Sequence, residues 1–301
     1  NALISGTDDL VAQLSGSAAE INQVGAPNST ADGVAGCSTG TTATGQAAIR
    51  GGFFGTGVAF DADREAAHYA RFAIPTLSTG GETFPIMFGH LDLIGWPYGG
   101  IYFYLPPSAS ELGYANGNWQ AITRQLQSTQ ASQAWTRSGT AVTLTVNSHG
   151  LTVGDSVAIS STSDASALPN TGLSAAFYIV QTVPTSNTFT IVGLNAGGTS
   201  GTATVQRSIR TVTDTTLAGA AGFRPMGWRY NPTTGAVRFF VVISGVTTVF
   251  EHTTNIPGTN TTVTPLWGIV KTAGTTARTL QVDVAAATHM DNRDIPPAML
   301  R

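Results

Sequence analysis

The 301-residue chain is expected to be all-β: an antiparallel sandwich or jelly roll with an inserted small β domain and a short N-terminal helix or extended arm. Three observations predict this. Short runs rich in β-branched and aromatic residues recur, among them 68–75 (HYARFAIP), 99–107 (GGIYFYLPP) and 236–243 (AVRFFVVI). Glycine, proline, asparagine and aspartate punctuate these runs at short intervals, as tight turns require. Threonine is roughly one residue in seven, which favours strands over helices.

Residues 1–24 are the helical candidate. Leu3, Thr7, Leu10, Leu14, Ser17, Ile21 and Val24 fall on alternating a and d positions of a heptad. Leu3, Leu10, Leu14, Ile21 and Val24 then form one apolar stripe, suited to a short coiled coil that trimerises or anchors the chain. Gly6 and Gly16 each cost a helix about 1 kcal/mol, and an amphipathic arm packed on its own domain satisfies the same spacing. Residues 25–52 are almost purely small (AGCSTGTTATGQAA) and read as an extended arm or linker. The segment 1–52 is thus expected to anchor the chain.

Strand character begins near residue 53 and is expected to build one discontinuous sandwich from 53–132 plus 208–290, with 291–301 as a tail. Asn231-Pro232-Thr233-Thr234-Gly235 reads as a hairpin loop, and Ser244-Gly245 as a two-residue hairpin turn. Leu280, Val282 and Val284 alternate with Thr279, Gln281 and Asp283, the period of a half-buried strand. Residues 133–207 have their own turn chemistry and polar flanks, as a module inserted at a loop tip would.

Composition narrows the function. Charged residues are 10% of the chain and the net charge is −3, with no basic run, so a nucleic-acid partner is not expected. A surface this poor in charge suits an assembly that buries much of it. Cys37 is the single cysteine, so the fold is expected to stand on packing without an intrachain disulfide. No run approaches the ~18–20 apolar residues of a membrane span, and no signal-peptide core opens the chain. A chain beginning at Asn1 is expected to be processed or truncated.

No catalytic or cofactor signature is present, so neither an enzyme nor a cofactor is expected. Lys271-Thr272 mimics the end of a phosphate-binding loop, but Val270 stands where glycine is required. Asp61, Asp63 and Glu65 alternate, yet the glycine and distal glutamate of a calcium loop are missing. His68, His90, His149, His252 and His289 show no metal-ligand spacing. The aromatics near turns are the binding candidates: Trp96, Tyr98, Tyr114 and Trp119 as a sugar-stacking platform over 92–119, with Asp92, Asn116 and Asn118 as polar partners. Core and interface packing is the competing reading for each of them.

Three resemblances give these features a context. His149-Gly150-Leu151, Val153-Gly154-Asp155-Ser156-Val157, Tyr178-Ile179-Val180 and Thr188-Phe189-Thr190-Ile191 resemble a small all-β module of tailed-bacteriophage tail, fibre and head-appendage proteins. The match covers about a fifth of the chain and implies a spacer or display unit without chemistry of its own. Residues 15–24 (SGSAAEINQV) look like short repeats of phage fibre shafts and head-fibre stems, usually trimeric. Residues 227–284 resemble the lectin-like sandwich of phage fibres, through Gly227-Trp228-Arg229-Tyr230, Ile256-Pro257, Trp267-Gly268-Ile269-Val270 and Arg278-Thr279-Leu280-Gln281-Val282-Asp283.

These resemblances imply a non-enzymatic virion protein on the particle surface, a homotrimeric head or tail fibre or spike that contributes to glycan attachment. Its partners would be copies of itself, other capsid or tail proteins and host-surface polysaccharide. A capsid decoration or cement protein, its N-terminal arm clamping neighbouring capsomers, is the alternative. A glycan-degrading tailspike enzyme is third, because no pair of acids stands out in the sequence.

Overall fold

The computed structural model describes residues 10–23, 34–51, 58–92, 99–107, 117–169 and 177–289. Among them are twenty strands and no helix. In chain order these are β1 (Leu10–Ser15), β2 (Glu20–Gln23), β3 (Ala35–Ser38), β4 (Gln46–Gly51), β5 (Val58–Ala59), β6 (Ala66–Ala73), β7 (Ile86–Leu91), β8 (Gly100–Leu105), β9 (Asn118–Ser138) and β10 (Ala141–Thr145). Then follow β11 (Ser156–Thr162), β12 (Tyr178–Ile179), β13 (Thr182–Thr185), β14 (Thr188–Val192), β15 (Ser200–Ala218), β16 (Arg224–Asn231), β17 (Ala236–Ile243), β18 (Val246–His252), β19 (Thr262–Val270) and β20 (Thr279–His289).

The chain divides into two compact units. In the larger, one antiparallel sheet runs β1-β4-β19-β7-β8-β9, and a second of seven strands runs β18-β17-β16-β6-β20-β3-β2. This is the β-sandwich read from the sequence. Strand alternation turns Phe88, Phe103 and Trp119 of the first sheet toward Phe72 and Phe239 of the second. Phe72 and Phe88 meet edge to face at 4.8 Å, Phe103 and Phe239 at 5.1 Å, and Phe88 stacks on Phe103 at 4.9 Å. Each ring buries a large apolar area, and such pairs add about 0.5–1.5 kcal/mol beyond that burial. β7 and β8 are buried on both faces, which is why IMFGHL and GIYFYL read as unbroken apolar runs.

The hairpins fall where the turn residues place them. Ser244 and Gly245 both have positive φ, 52° and 81°, the geometry that joins β17 to β18 without splaying them. Asn231 caps the β16–β17 loop by accepting the Thr233 N–H at 2.9 Å. Leu280 and Val282 face the core, but a bulge then shifts the register of β20 against β6, and Asp283 pairs with Arg71 at 2.9 Å.

Of the two N-terminal readings, the helical one is overturned over the described residues. Residues 10–15 and 20–23 are strands and not a heptad helix. Leu14 lies on β1 with 45% of its surface exposed, whereas Ile21 lies on β2, in the other sheet, against the core. The two share no stripe. Leu10 is on β1, its side chain outside the described set, and Leu3 and Val24 lie outside the described residues. The described part of the small-residue segment, 34–51, is likewise not a free arm. Within it β3 pairs with β2 and β20, and β4 with β1 and β19, so that Cys37, Ala47 and Ala48 are fully buried. Burial pushes the Cys37 thiol up to about 12, so it stays protonated. The one lysine is buried too: Lys271 Nζ donates to the Gly40 carbonyl at 2.7 Å.

The smaller unit holds Arg124–Arg210. β10 pairs with β9 and β14, β14 with β13, and β11 with β12 and β15, all antiparallel. Trp135, Leu144, Val157, Phe189 and Val205 anchor a core separate from that of the larger unit. The chain enters and leaves through β9 and β15, which pair with each other. On the larger unit's side of that passage, the hydroxyls of Thr123 and Thr211 both donate to the Thr254 carbonyl, at 2.9 and 3.3 Å. Replacing 124–210 by a two-residue Asn-Gly turn is therefore expected to leave the larger unit folded, with a cooperative thermal transition and β-type circular dichroism. Loss of the cooperative transition would refute the independence of its core.

Candidate functional site

The motif of the smaller unit is spent on folding. His149 Nδ1 accepts the Leu151 N–H at 2.9 Å, so its other nitrogen carries the proton and faces the carbonyls of Thr185 at 3.1 Å and Thr188 at 3.3 Å. His149 thereby ties its own turn to the β13–β14 hairpin. Gly150 and Gly154 take positive φ of 65° and 87°, which the turns on either side of Leu151 demand. Asp155 is fully buried. It accepts the Thr152 N–H at 2.6 Å and hydroxyl at 3.0 Å, takes the Arg210 N–H at 3.2 Å, and pairs with the Arg210 guanidinium at 3.4 Å. Burial pushes its carboxyl up, against the opposing pull of the Thr152 amide, Arg210 and Arg124.

The histidines of the larger unit are core residues. His68, on β6, has no exposed surface and lies against Trp267 at 4.4 Å, His90 at 5.3 Å and Trp228 at 6.1 Å. Neither of its ring nitrogens has a hydrogen-bond partner among the described residues, and burial lowers it to about 3. His252 is better satisfied. Thr123 spends its proton on the Thr254 carbonyl and so accepts from Nδ1 at 3.1 Å, leaving Nε2 to accept the Thr213 hydroxyl at 2.9 Å. Burial lowers His252 to about 4. No group of three metal-ligating side chains occurs among the described residues.

Of the predicted sugar platform, the structure places Trp119 alone, and removes it. Trp119 is 1% exposed and packs on Phe72 at 4.9 Å and Phe88 at 5.9 Å, so its indole is a core element with no face for a sugar. Trp96, Tyr98, Tyr114 and Asn116 lie outside the described residues. The segments that carry them are rooted at opposite ends of β8, one between Asp92 and Gly99, the other between Pro107 and Gly117. Six residues of strand separate those roots by about 20 Å. Asp92 donates its N–H to the Gly99 carbonyl at 3.3 Å, while the Asn118 amide donates to Asp214 at 3.3 Å. Tyr102, Tyr104, Trp228 and Tyr230 are buried, and the Tyr230 hydroxyl donates to the Ala62 carbonyl at 2.8 Å.

Carboxylates of the larger unit have structural partners. Asp61 pairs with Arg64 at 3.1 Å, Glu65 with Arg229 at 2.7 Å and Glu251 with Arg238 at 2.7 Å. Glu82 accepts the N–H groups of Thr275 and Thr276, which hold its carboxyl below the usual range. Asp61 and Glu65 of the calcium-like alternation are thus each held by an arginine, and the Asp63 N–H donates to the Asp61 carboxylate at 3.0 Å. Sequence reasoning missed the outer face of the seven-stranded sheet, where Tyr69, Phe240 and Pro225 alternate with core residues. Gly227 in the middle of β16 was the available signal, since a strand-interior glycine marks a close approach.

Neither a protein-family model nor a curated protein matches the chain. Among solved structures it is similar to a legume lectin-like domain from Entamoeba histolytica, at 5% identity and a TM-score of 0.39, over 94% of this chain and 90% of that one. It is also similar to the endosialidase of phage phi92, at 11% identity and a TM-score of 0.23, over 74% of this chain and 44% of that one. The chain thus spans under half of the endosialidase's length. At these scores the likenesses assign neither a family nor an activity.

Two outcomes follow from these sites. Asp155→Ala leaves the Arg210 guanidinium buried without its counter-charge, and is expected to cost the smaller unit about 3–5 kcal/mol, read by denaturant unfolding. The second concerns pH. His68 and His252 lie below their unfolded value of 6.5, at about 3 and about 4, so the unfolded chain binds more protons between those limits. Their contribution is present in full above pH 6.5 and is lost as pH falls toward 4, at about 1.4 kcal/mol per pH unit for each ring. His68→Phe is expected to flatten that slope by one proton, measured as unfolding free energy at pH 5 and pH 7.

Proposed function

We propose that the chain is a non-enzymatic structural component of a phage or phage-like particle surface, a homotrimeric fibre or spike whose sandwich contributes to attachment to cell-surface glycans. The observation that carries this reading is the use of His149 and Asp155. These most chemistry-like residues of the display-type motif are consumed by backbone and Arg210, so that neither is left poised for reaction. The charge-poor composition supports burial of surface between copies. The cement alternative has an N-terminal arm clamp neighbouring capsomers; it is less favoured because residues 35–38 and 46–51 of that arm are strands of the sandwich.

The test uses the purified full chain carrying a fluorescent label. Mass photometry at micromolar concentration is expected to give a trimer, and a stable monomer would refute that assembly. The chain is expected to label Gram-negative cells of a panel differing in surface polysaccharide, to lose labelling after periodate oxidation of the cells, and to release no reducing ends. Labelling that survives periodate would sink the glycan reading, and steady release of reducing ends would make the chain an enzyme.

A further inference from the structure

We infer that the outer edge of β18 is a self-association site, where the strand pairs antiparallel with β18 of a second copy. β18 ends the seven-stranded sheet and pairs with β17 alone. The alternation of that ladder fixes which backbone groups are left over. A two-residue turn at Ser244-Gly245 makes Ile243 and Val246 the first hydrogen-bonded pair, so Val246, Thr248, Phe250 and His252 bond to β17. Thr247, Val249 and Glu251 turn their N–H and C=O groups the other way. Among the described residues, nothing hydrogen-bonds to those groups.

Proteins ordinarily guard such an edge, by shortness, proline, lysine or a bulge. Two other edges of this chain are guarded in that way. β2, at the far end of the same sheet, has four residues, and β13 carries Pro184 and breaks register against β14. β18 has seven residues in unbroken register, without proline, lysine or glycine. Its single acid, Glu251, is held by Arg238 of its own hairpin at 2.7 Å. Val246 and Val249 are 66% and 49% exposed, so the strand also offers apolar surface.

A row of outward amides and carbonyls selects an extended strand as its occupant, and the sequence of β18 fits itself. A two-fold axis through Val249 sets Thr247 of each copy opposite Glu251 of the other. This is the one antiparallel register that pairs all three outward residues, each pair exchanging two N–H···O bonds. Val249 meets Val249 on the axis, and each Glu251 faces a threonine, so no like charges oppose. A foreign strand would have to supply these matches, whereas a second copy carries them already. The contact goes beyond the trimer proposed above. A two-fold pairing cannot close a three-fold ring, so it joins one assembly to the next. Seven residues a side is far below the roughly 20–30 of a standard interface, which makes the pairing weak in solution and effective between crowded copies.

The experiment is sedimentation equilibrium of the full chain from about 1 to 100 µM, where the mass is expected to double from that of its starting species. Val249→Lys places on the axis the charge that guards natural edges, and is expected to weaken the doubling about tenfold with an unchanged thermal transition. Cross-linking by a short bismaleimide then reads the register. Val249→Cys is expected to link to its mate, because the two Cα atoms stand about 5.5 Å apart. Thr247→Cys, about 14 Å from its own mate, is expected to stay unlinked. Wild type, whose Cys37 is buried, is the blank. Absence of doubling, doubling untouched by Val249→Lys, or equal cross-linking at 247 and 249 overturns the proposal. A trimer that forms without doubling overturns it and spares the trimer, whereas a monomer that doubles through Val249 bears it out and removes the trimer.

Discussion

The contact between Phe72 of one sheet and Phe88 of the other is the constraint on which the larger unit depends. Two antiparallel sheets have no covalent reason to stay face to face, and no disulfide is possible with one cysteine. What holds them is the interlocking of Phe72, Phe88, Phe103, Trp119 and Phe239, at centroid separations of 4.8 to 5.9 Å. These rings belong to strands far apart in sequence, so every intervening segment must be placed before the seam can close. Truncating one buried ring of this kind typically removes about 3–5 kcal/mol. The same close packing explains why His68 remains a neutral imidazole among indoles: the seam leaves no route for water to reach it.

Much of this architecture was legible in the chain. Short runs rich in β-branched and aromatic residues located β6, β7, β8, β16, β17 and β18, and Ser244-Gly245 fixed one turn outright. The N-terminal reading failed for a definite reason. In LVAQLS the leucines are four apart, which satisfies a helical stripe and a strand face equally, and pairing with β4 decides between them. Gly16, between β1 and β2, carried the correct signal, but it was weighed as a tolerable helix cost. The small residues of β3 and β4 misled in a different way. Alanine runs look unable to bury surface, yet Ala47 and Ala48 are small because β4 is flanked on both sides by strands in a packed sheet.

The candidate site was less legible, because exposure is a property of the tertiary fold. Trp119 sits one residue into β9 beside a turn, and nothing in Asn-Trp-Gln distinguishes an inward indole from an outward one. It is Ala121 and Ile122, and the opposing Phe72, that fix its direction. Phe240 was hidden by the opposite effect. It lies inside a run whose apolar content looked like core, and only the alternation along β17 turns it away from Phe239 and Val241.

The passage between the two units has a consequence for how such a chain can change over time. Thr123 and Thr211 meet on a single backbone oxygen, that of Thr254, and threonine hydroxyls ask nothing of what lies beyond them. Any β segment whose first and last strands arrive paired and antiparallel would satisfy the same junction. Recombination at that point could therefore exchange one appendage for another in a single step, with neither hydrophobic interior needing to be relearned.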